Sequence, residues 1–428
     1  MAAAIALALL LGPPGPPEVY EDDLSFAYDA LERECGRLLE AKGISLQKVR
    51  RELGKSAAAV RTPEDHWVLL VRLVARLRDG HAGVYPTEKT KGLKWPLPAV
   101  EKGPGLCWCD GSGKVWVKGA WGGAAGAGVE VGMEVVKVEG VQASKWLDAR
   151  VAELSDVSCF STAQGARYFA CHWGLGGPAG STLELELRHP VTKKTKKATL
   201  SRDDGGLAPA GPVVFPPGLQ AIGRNSYGKL ASGFGYIHLR DVPQTLPEDL
   251  DKMLEALADP PGLVLDCRAN GGGGCDHDAV FGRFVPKGQT LSFGKQYASA
   301  GARPYKGPVV VIVDAGVRSA GETVAGMLKE DGRAYMIGPE ATAGMSSQKT
   351  TIDLPSGLFQ LYVSVASNKG RFNGGKGIEG IGVPPHEVVA YDPVDLASGV
   401  DTEIKRAEEL LAKGFLKNVV PYHPERYK

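Results

Sequence analysis

The run Val309-Val310-Val311-Ile312-Val313 is wholly apolar, and four of its five residues are valine. Such a run is buried on both faces, which places it inside a parallel sheet covered by helices rather than in a half-wet hairpin. Gly262 to Asp266 reads as another buried strand, and Phe234 to Leu239 as a further strand. Helical segments alternate with them, one from Pro247 to Leu257 and one from Ala320 to about Lys329. Strands alternating with helices predict an α/β core with a mainly parallel sheet, whose active site gathers at the carboxyl ends of the strands.

Two features fall at such ends. Asn270-Gly271-Gly272-Gly273-Gly274 follows Gly262 to Asp266, and Gly316-Val317-Arg318-Ser319-Ala320-Gly321-Glu322 follows the valine run. A hydroxyl at the mouth of a helix sits where partial positive charge favours a developing anion, so Ser319 is a candidate nucleophile. Serine is equally a common helix cap, and the local motif alone does not separate the two uses. Glycines let backbone N–H groups approach a ligand closely, so the run could supply one donor of an oxyanion hole, with Ala320 N–H as the other. A flexible turn is the plainer alternative, and the absence of a following Gly-Lys-Ser/Thr argues against a phosphate loop. A serine nucleophile needs a base. His81, in the polar turn Asp79-Gly80-His81-Ala82, is one candidate, and His277, just after the glycine run, competes with it.

The rest of the chain reads as follows. Residues 2–11 form an apolar stretch before Gly-Pro-Pro-Gly-Pro-Pro. This is too short to cross about 30 Å of hydrocarbon but long enough for a secretory signal, although no basic residue precedes it. Export to the periplasm or outside is expected, with a cytoplasmic protein as the alternative. Residues 18–97 read as helices, with Thr62-Pro63-Glu64-Asp65 as a helix start. Residues 98–202 change to short alternating strands, and 203–224 have the Gly/Pro-rich composition of a linker. A core over 225–415 and a tail over 416–428 complete the layout. Lys193 to Lys197 reads as a solvated hairpin tip. The charge balance, 50 basic against 49 acidic residues, gives no reason to expect nucleic acid or an anionic membrane as partner. Seven cysteines without paired spacing point to buried thiols, although Cys107, Cys109, Cys171 and His172 could in principle meet at a metal; no metal or other cofactor is expected.

In order and spacing the segments resemble the C-terminal-processing (tail-specific) serine peptidases and their tricorn-type relatives. The elements are Leu77-Arg-Asp-Gly-His81, Gly235-Tyr-Ile-His-Leu239, Leu263 to Gly273, Val309 to Glu322, and Glu379-Gly-Ile-Gly-Val-Pro-Pro385. The resemblance implies a crotonase/ClpP-like ββα core with an N-terminal helical segment and an inserted PDZ-like domain at 98–202. It also implies that Gly103, Gly105 and Leu106 form a loop for a peptide's terminal carboxylate.

The family divides by its general base. The lysine of the Ser/Lys branch falls at Gly344 in Ala343-Gly-Met-Ser-Ser-Gln348, and Lys349 or Lys376 would have to replace it. The tricorn-type branch uses His and Glu, which match His81 and Glu379, although its second serine, preceding the histidine, is here Gly80. The resemblance thus implies a serine endopeptidase acting on extended or C-terminally recognised polypeptide. Ser319 would be the nucleophile, His81 the base and Glu379 its support, with Gly272 and Ala320 at the oxyanion. The alternative is a non-catalytic member of the fold that binds peptide ends or small apolar ligands.

Overall fold

The computed structural model describes residues 17–97, 102–111, 113–205, 211–292, 296–368 and 370–414. The apolar stretch over 2–11 and the tail over 416–428 lie outside these residues. Among the described residues no helix is long and apolar enough to cross a membrane. The chain divides into two compact units.

The smaller unit holds residues up to 98, 155–159 and 348–366. Helices Glu18–Ala41, Leu46–Ala58 and Pro63–Ala75 turn their apolar stripes inward. Thr62 and Asp65 close a reciprocal capping box at the start of the third, as the Thr-Pro-Glu-Asp spacing predicts. Gly83–Pro86 pairs antiparallel with Phe359–Ser367. Residues 348–366 therefore do not continue the core, as a contiguous core over 225–415 would require. Ile352, Leu354, Phe359, Leu361 and Val363 of this hairpin find their apolar partners among the N-terminal helices instead.

Two large sheets lie in the larger unit, beside a small two-stranded one formed by Thr290–Ser292 and Gln296–Ala298. The first large sheet has seven strands in the spatial order Glu387–Val388, Tyr335–Gly338, Val309–Ile312, Leu263–Asp266, Gly235–His238, Asn225–Lys229 and Gln220–Ile222. From Gly235–His238 to Glu387–Val388 the pairings are parallel. The valine run is fully buried, as its composition requires. Helices Leu246–Leu257 and Ala320–Glu330 pack into one apolar cluster, and Thr402–Ala412 contributes to another that includes Tyr236, Val264 and Val310. The linker expected over 203–224 is shorter than its composition suggests. Gln220–Ile222 pairs with Asn225–Lys229 as an edge hairpin, its turn formed by Gly223 at φ +59°.

The second sheet is antiparallel and runs Leu106–Gly111, Lys114–Ala120, Glu134–Val138, Thr182–Arg188 and Thr195–Ser201, with Val141–Gln142 on Glu134–Val138. Its hairpin tip is not wholly solvated. Lys196 turns back to donate to the carbonyls of Ala127 and Gly128. Helix Ala163–His172 packs against the edge strand Leu106–Gly111.

Candidate active site

Ser319 has φ +56° and ψ −126°. A non-glycine residue in that conformation costs about 1–3 kcal/mol, and such strain persists only where its surroundings enforce it. The enforcement is visible. Ser319 N–H donates both to Met345 carbonyl (3.0 Å) and to Glu322 Oε2 (3.2 Å), while Arg318 N–H donates to Asn270 carbonyl (3.1 Å). A plain N-cap needs no such backbone, although Ser319 and Glu322 also form a capping box. Helix Ala320–Glu330 begins at the next residue and aims its first N–H groups at this point.

Gly272, with φ +84°, lies against the serine, and a Cβ there would stand 2.8 Å from Ser319 Cβ. The close approach expected of the glycine run is therefore real. Its donor role needs correction, because Gly272 N–H already donates to Asn270 Oδ1 at 2.8 Å. Asn270 is buried and also donates to Leu239 carbonyl, so it braces the loop against the sheet. Gly272 can serve an oxyanion only by sharing that hydrogen.

Glu322 organises the other side. It is fully buried, and its carboxylate accepts from Thr342 Oγ1 (2.5 Å), Gly344 N–H (2.7 Å), Met345 N–H (2.7 Å) and Ser319 N–H. Burial pushes its pKa up to about 7 against the pull of these donors, with Glu379 adding to the rise. One carboxylate thus ties Ser319 to the 342–345 segment. Gly344, at φ +75°, is enclosed: a Cβ would stand 2.6 Å from Thr162 Cγ2 and 3.1 Å from Gly382 N. Lys376 is exposed, and Lys349 lies in a strand of the smaller unit.

Glu379 is buried in the same unit as Ser319 and accepts a hydrogen bond from Ser161 Oγ at 2.9 Å. The loop that carries it is fixed by Gly380 N–H donating to Gly344 carbonyl. His277 also lies in this unit. Its ring hydrogen-bonds the backbone of Ala320, and Nε2 is buried with no hydrogen-bond partner among the described residues, so neither nitrogen is on the Ser319 hydroxyl. Burial lowers its pKa. His277 thus rests against the helix start at Ala320.

His81 belongs to the smaller unit. Its turn is fixed by Asp79, a buried carboxylate that accepts from His81 N–H (3.0 Å), Ser364 N–H (2.6 Å) and Ser364 Oγ (2.8 Å).

The loop expected to hold a peptide carboxylate is closed. Gly103, Gly105 and Leu106 are buried. A Cβ on Gly105 would stand 2.2 Å from Trp121 carbonyl oxygen, and Trp121 Nε1 donates to Gly205 carbonyl at 2.6 Å across the same place. The chain's own Trp121 and Gly205 pack directly against Gly105. The cysteines are all free. Cys109, Cys171 and His172 line one pocket, but His172 Nδ1 bonds Tyr168 carbonyl and Nε2 faces Lys118 Nζ at 3.4 Å. An ammonium on the second nitrogen leaves that ring nothing with which to ligate a metal.

Three contributors escaped the sequence reading: Ser161, Thr162 and Gln164. They lie just before and in the first turn of helix Ala163–His172, far along the chain from the core segments they meet. Glu322 was legible in principle, because Ser319-x-x-Glu322 has capping-box spacing.

The arrangement defines a class: an α/β core with a strained serine at a helix mouth, a glycine loop against it and a buried carboxylate bonded to the serine's N–H. Residues 233–389 match the family model Peptidase family S41. The chain is 27% identical over 255 residues to a carboxyl-terminal-processing protease of Picosynechococcus, spanning 56% of this chain and 57% of that one. It is 26% identical over 313 residues to the carboxy-terminal processing protease CtpB of Bacillus subtilis, spanning 69% and 62%. The chain thus spans about six-tenths of the length of these two relatives. The crystal structure of mature CPAF has the same fold, with a TM-score of 0.69 at 15% identity over 95% of this chain and 99% of that one.

Proposed function

We propose that this protein is a serine peptidase that hydrolyses extended polypeptide, with Ser319 as nucleophile, His81 as general base and Glu379 as support for the charged imidazole. The observation that carries the proposal is the enforced backbone of Ser319, strained beside Gly272 at the mouth of a helix. In the reaction, Ser319 Oγ bonds to the substrate carbonyl carbon and its proton passes to His81. The carbon–nitrogen bond breaks as His81 returns that proton to the leaving amine. Water then attacks the acyl-enzyme by the same route, releasing the acid and restoring Ser319. Ala320 N–H stabilises the oxyanion, with Gly272 sharing its hydrogen. The names of the relatives support cleavage near a C-terminus, but recognition of the terminal carboxylate has no open loop at Gly105 to carry it.

A fluorophosphonate probe and fluorescein-labelled casein test the assignment. Wild type is expected to be labelled and to cleave casein, Ser319→Ala to do neither, and His81→Ala to be slower by at least about 100-fold. Lys349→Ala and Lys376→Ala should match wild type. Labelling that survives Ser319→Ala, or is lost in either lysine variant while the fold is intact, sinks this mechanism. A folded protein that binds peptides without ever being labelled identifies the non-catalytic alternative.

A further inference from the structure

We propose that Ser161 is a positioning residue for Glu379, its hydroxyl fixing the carboxylate in the orientation that Gly80 has no side chain to impose. This rests on the reading of Glu379 as support for the base. The two side chains lie 218 residues apart in the chain, yet the hydroxyl donates to the carboxylate at 2.9 Å. Both residues are only 6% exposed. A buried carboxylate stays charged only with donors around it, and a hydroxyl supplies one without adding a competing charge.

The placement of Ser161 is enforced by its neighbours. Thr162 caps helix Ala163–His172 through Gly165 N–H (3.2 Å), which locks the backbone next to Ser161. The same Thr162 hydroxyl donates to Ala343 carbonyl at 2.8 Å. Gln164 Nε2 donates to Thr342 carbonyl (3.2 Å) and Ile381 carbonyl (3.1 Å). These contacts clamp the segment to the two loops that flank Glu379 and Gly344. Ser161 therefore meets the carboxylate with little freedom left to lose, the condition under which one hydrogen bond orients a functional group.

The test compares side chains of one shape with and without the hydroxyl: Ser161→Thr and Ser161→Val, beside Ser161→Ala, Glu379→Gln and Ser161→Ala/Glu379→Gln. Casein kcat and KM and the fluorophosphonate labelling rate are measured over about pH 5 to 9, with circular dichroism as the folding control. The expected loss for Ser161→Ala and Ser161→Val is about 10- to 100-fold in kcat with KM within about threefold. The acid limb of the profile should move to higher pH, because a buried carboxylate stripped of a donor is easier to protonate. Ser161→Thr should keep wild-type kcat within about threefold, and the double variant should be no slower than Glu379→Gln alone. Folded Thr and Val variants that are equally slow, or an alanine variant with unchanged kcat beside a slow Glu379→Gln, overturn the positioning role. A Glu379→Gln enzyme as fast as wild type overturns the reading of Glu379 itself.

Discussion

Gly344 shows how much a single missing side chain decides. It occupies the position where the lysine-dyad peptidases carry their base, and the sequence leaves open whether a lysine was simply lost. The structure answers through sterics: its φ of +75° disfavours any side chain, and Thr162 and Gly382 occupy the space a Cβ needs. Gly344→Lys is therefore expected to lower thermal stability and not to restore labelling in a His81→Ala background. Labelling recovered to near wild-type rate would show that a lysine can still reach the serine. Ser319, Gly272 and Glu379 were legible because each lies in a short motif at the end of a strand or in a proline-bounded loop. Ser161 was not, because a serine following Asp156-Val-Ser-Cys-Phe160 carries no local signal of a partner 218 residues away.

Helix Ala320–Glu330 gains its place through one residue of its first turn. Glu322 holds the 342–345 segment by three donors from that segment and the helix mouth by the N–H of Ser319. Because burial raises its pKa to about 7, the folded chain keeps a proton between about pH 4.5 and 7 that the unfolded chain has released. Stability should therefore fall as pH rises through that window, by about 3 kcal/mol at most, and level off above it. Activity should run the other way, since a protonated Glu322 can no longer accept from all its donors. Urea unfolding of wild type and Glu322→Gln at pH 5 and 8 checks this, and an equal pH slope in both would rule it out. The strands and helices were legible from periodicity. The departures were the segment 348–366, whose apolar residues match another set of helices, and Gln220–Ile222, a strand too short for its alternation to stand out among glycines and prolines.

Across the larger unit, Arg268 connects the end of one central strand to the final helix. It has no exposed surface and reaches Asp266, Asp401 and Glu403. Burial alone would raise Asp266, but the Arg268 guanidinium holds it below the usual carboxylate range, while burial keeps Glu403 well above that range. Arg268→Met leaves those acids without their cation and is expected to cost about 3–5 kcal/mol in urea unfolding. A loss under about 1 kcal/mol would mean the acids simply take up protons.

The clamp over residues 160–164 bears on how freely such a chain can be recombined. An antiparallel insert like that over 102–205 invites treatment as a portable cassette, to be excised or exchanged for another specificity. Here that stretch carries Ser161, Thr162 and Gln164, which bond to Glu379 and its neighbouring loops. Its exchange would take along the hydroxyl on Glu379 and the bonds to Thr342, Ala343 and Ile381. A graft that keeps these bonds must retain Phe160 to Gln164 from the original chain.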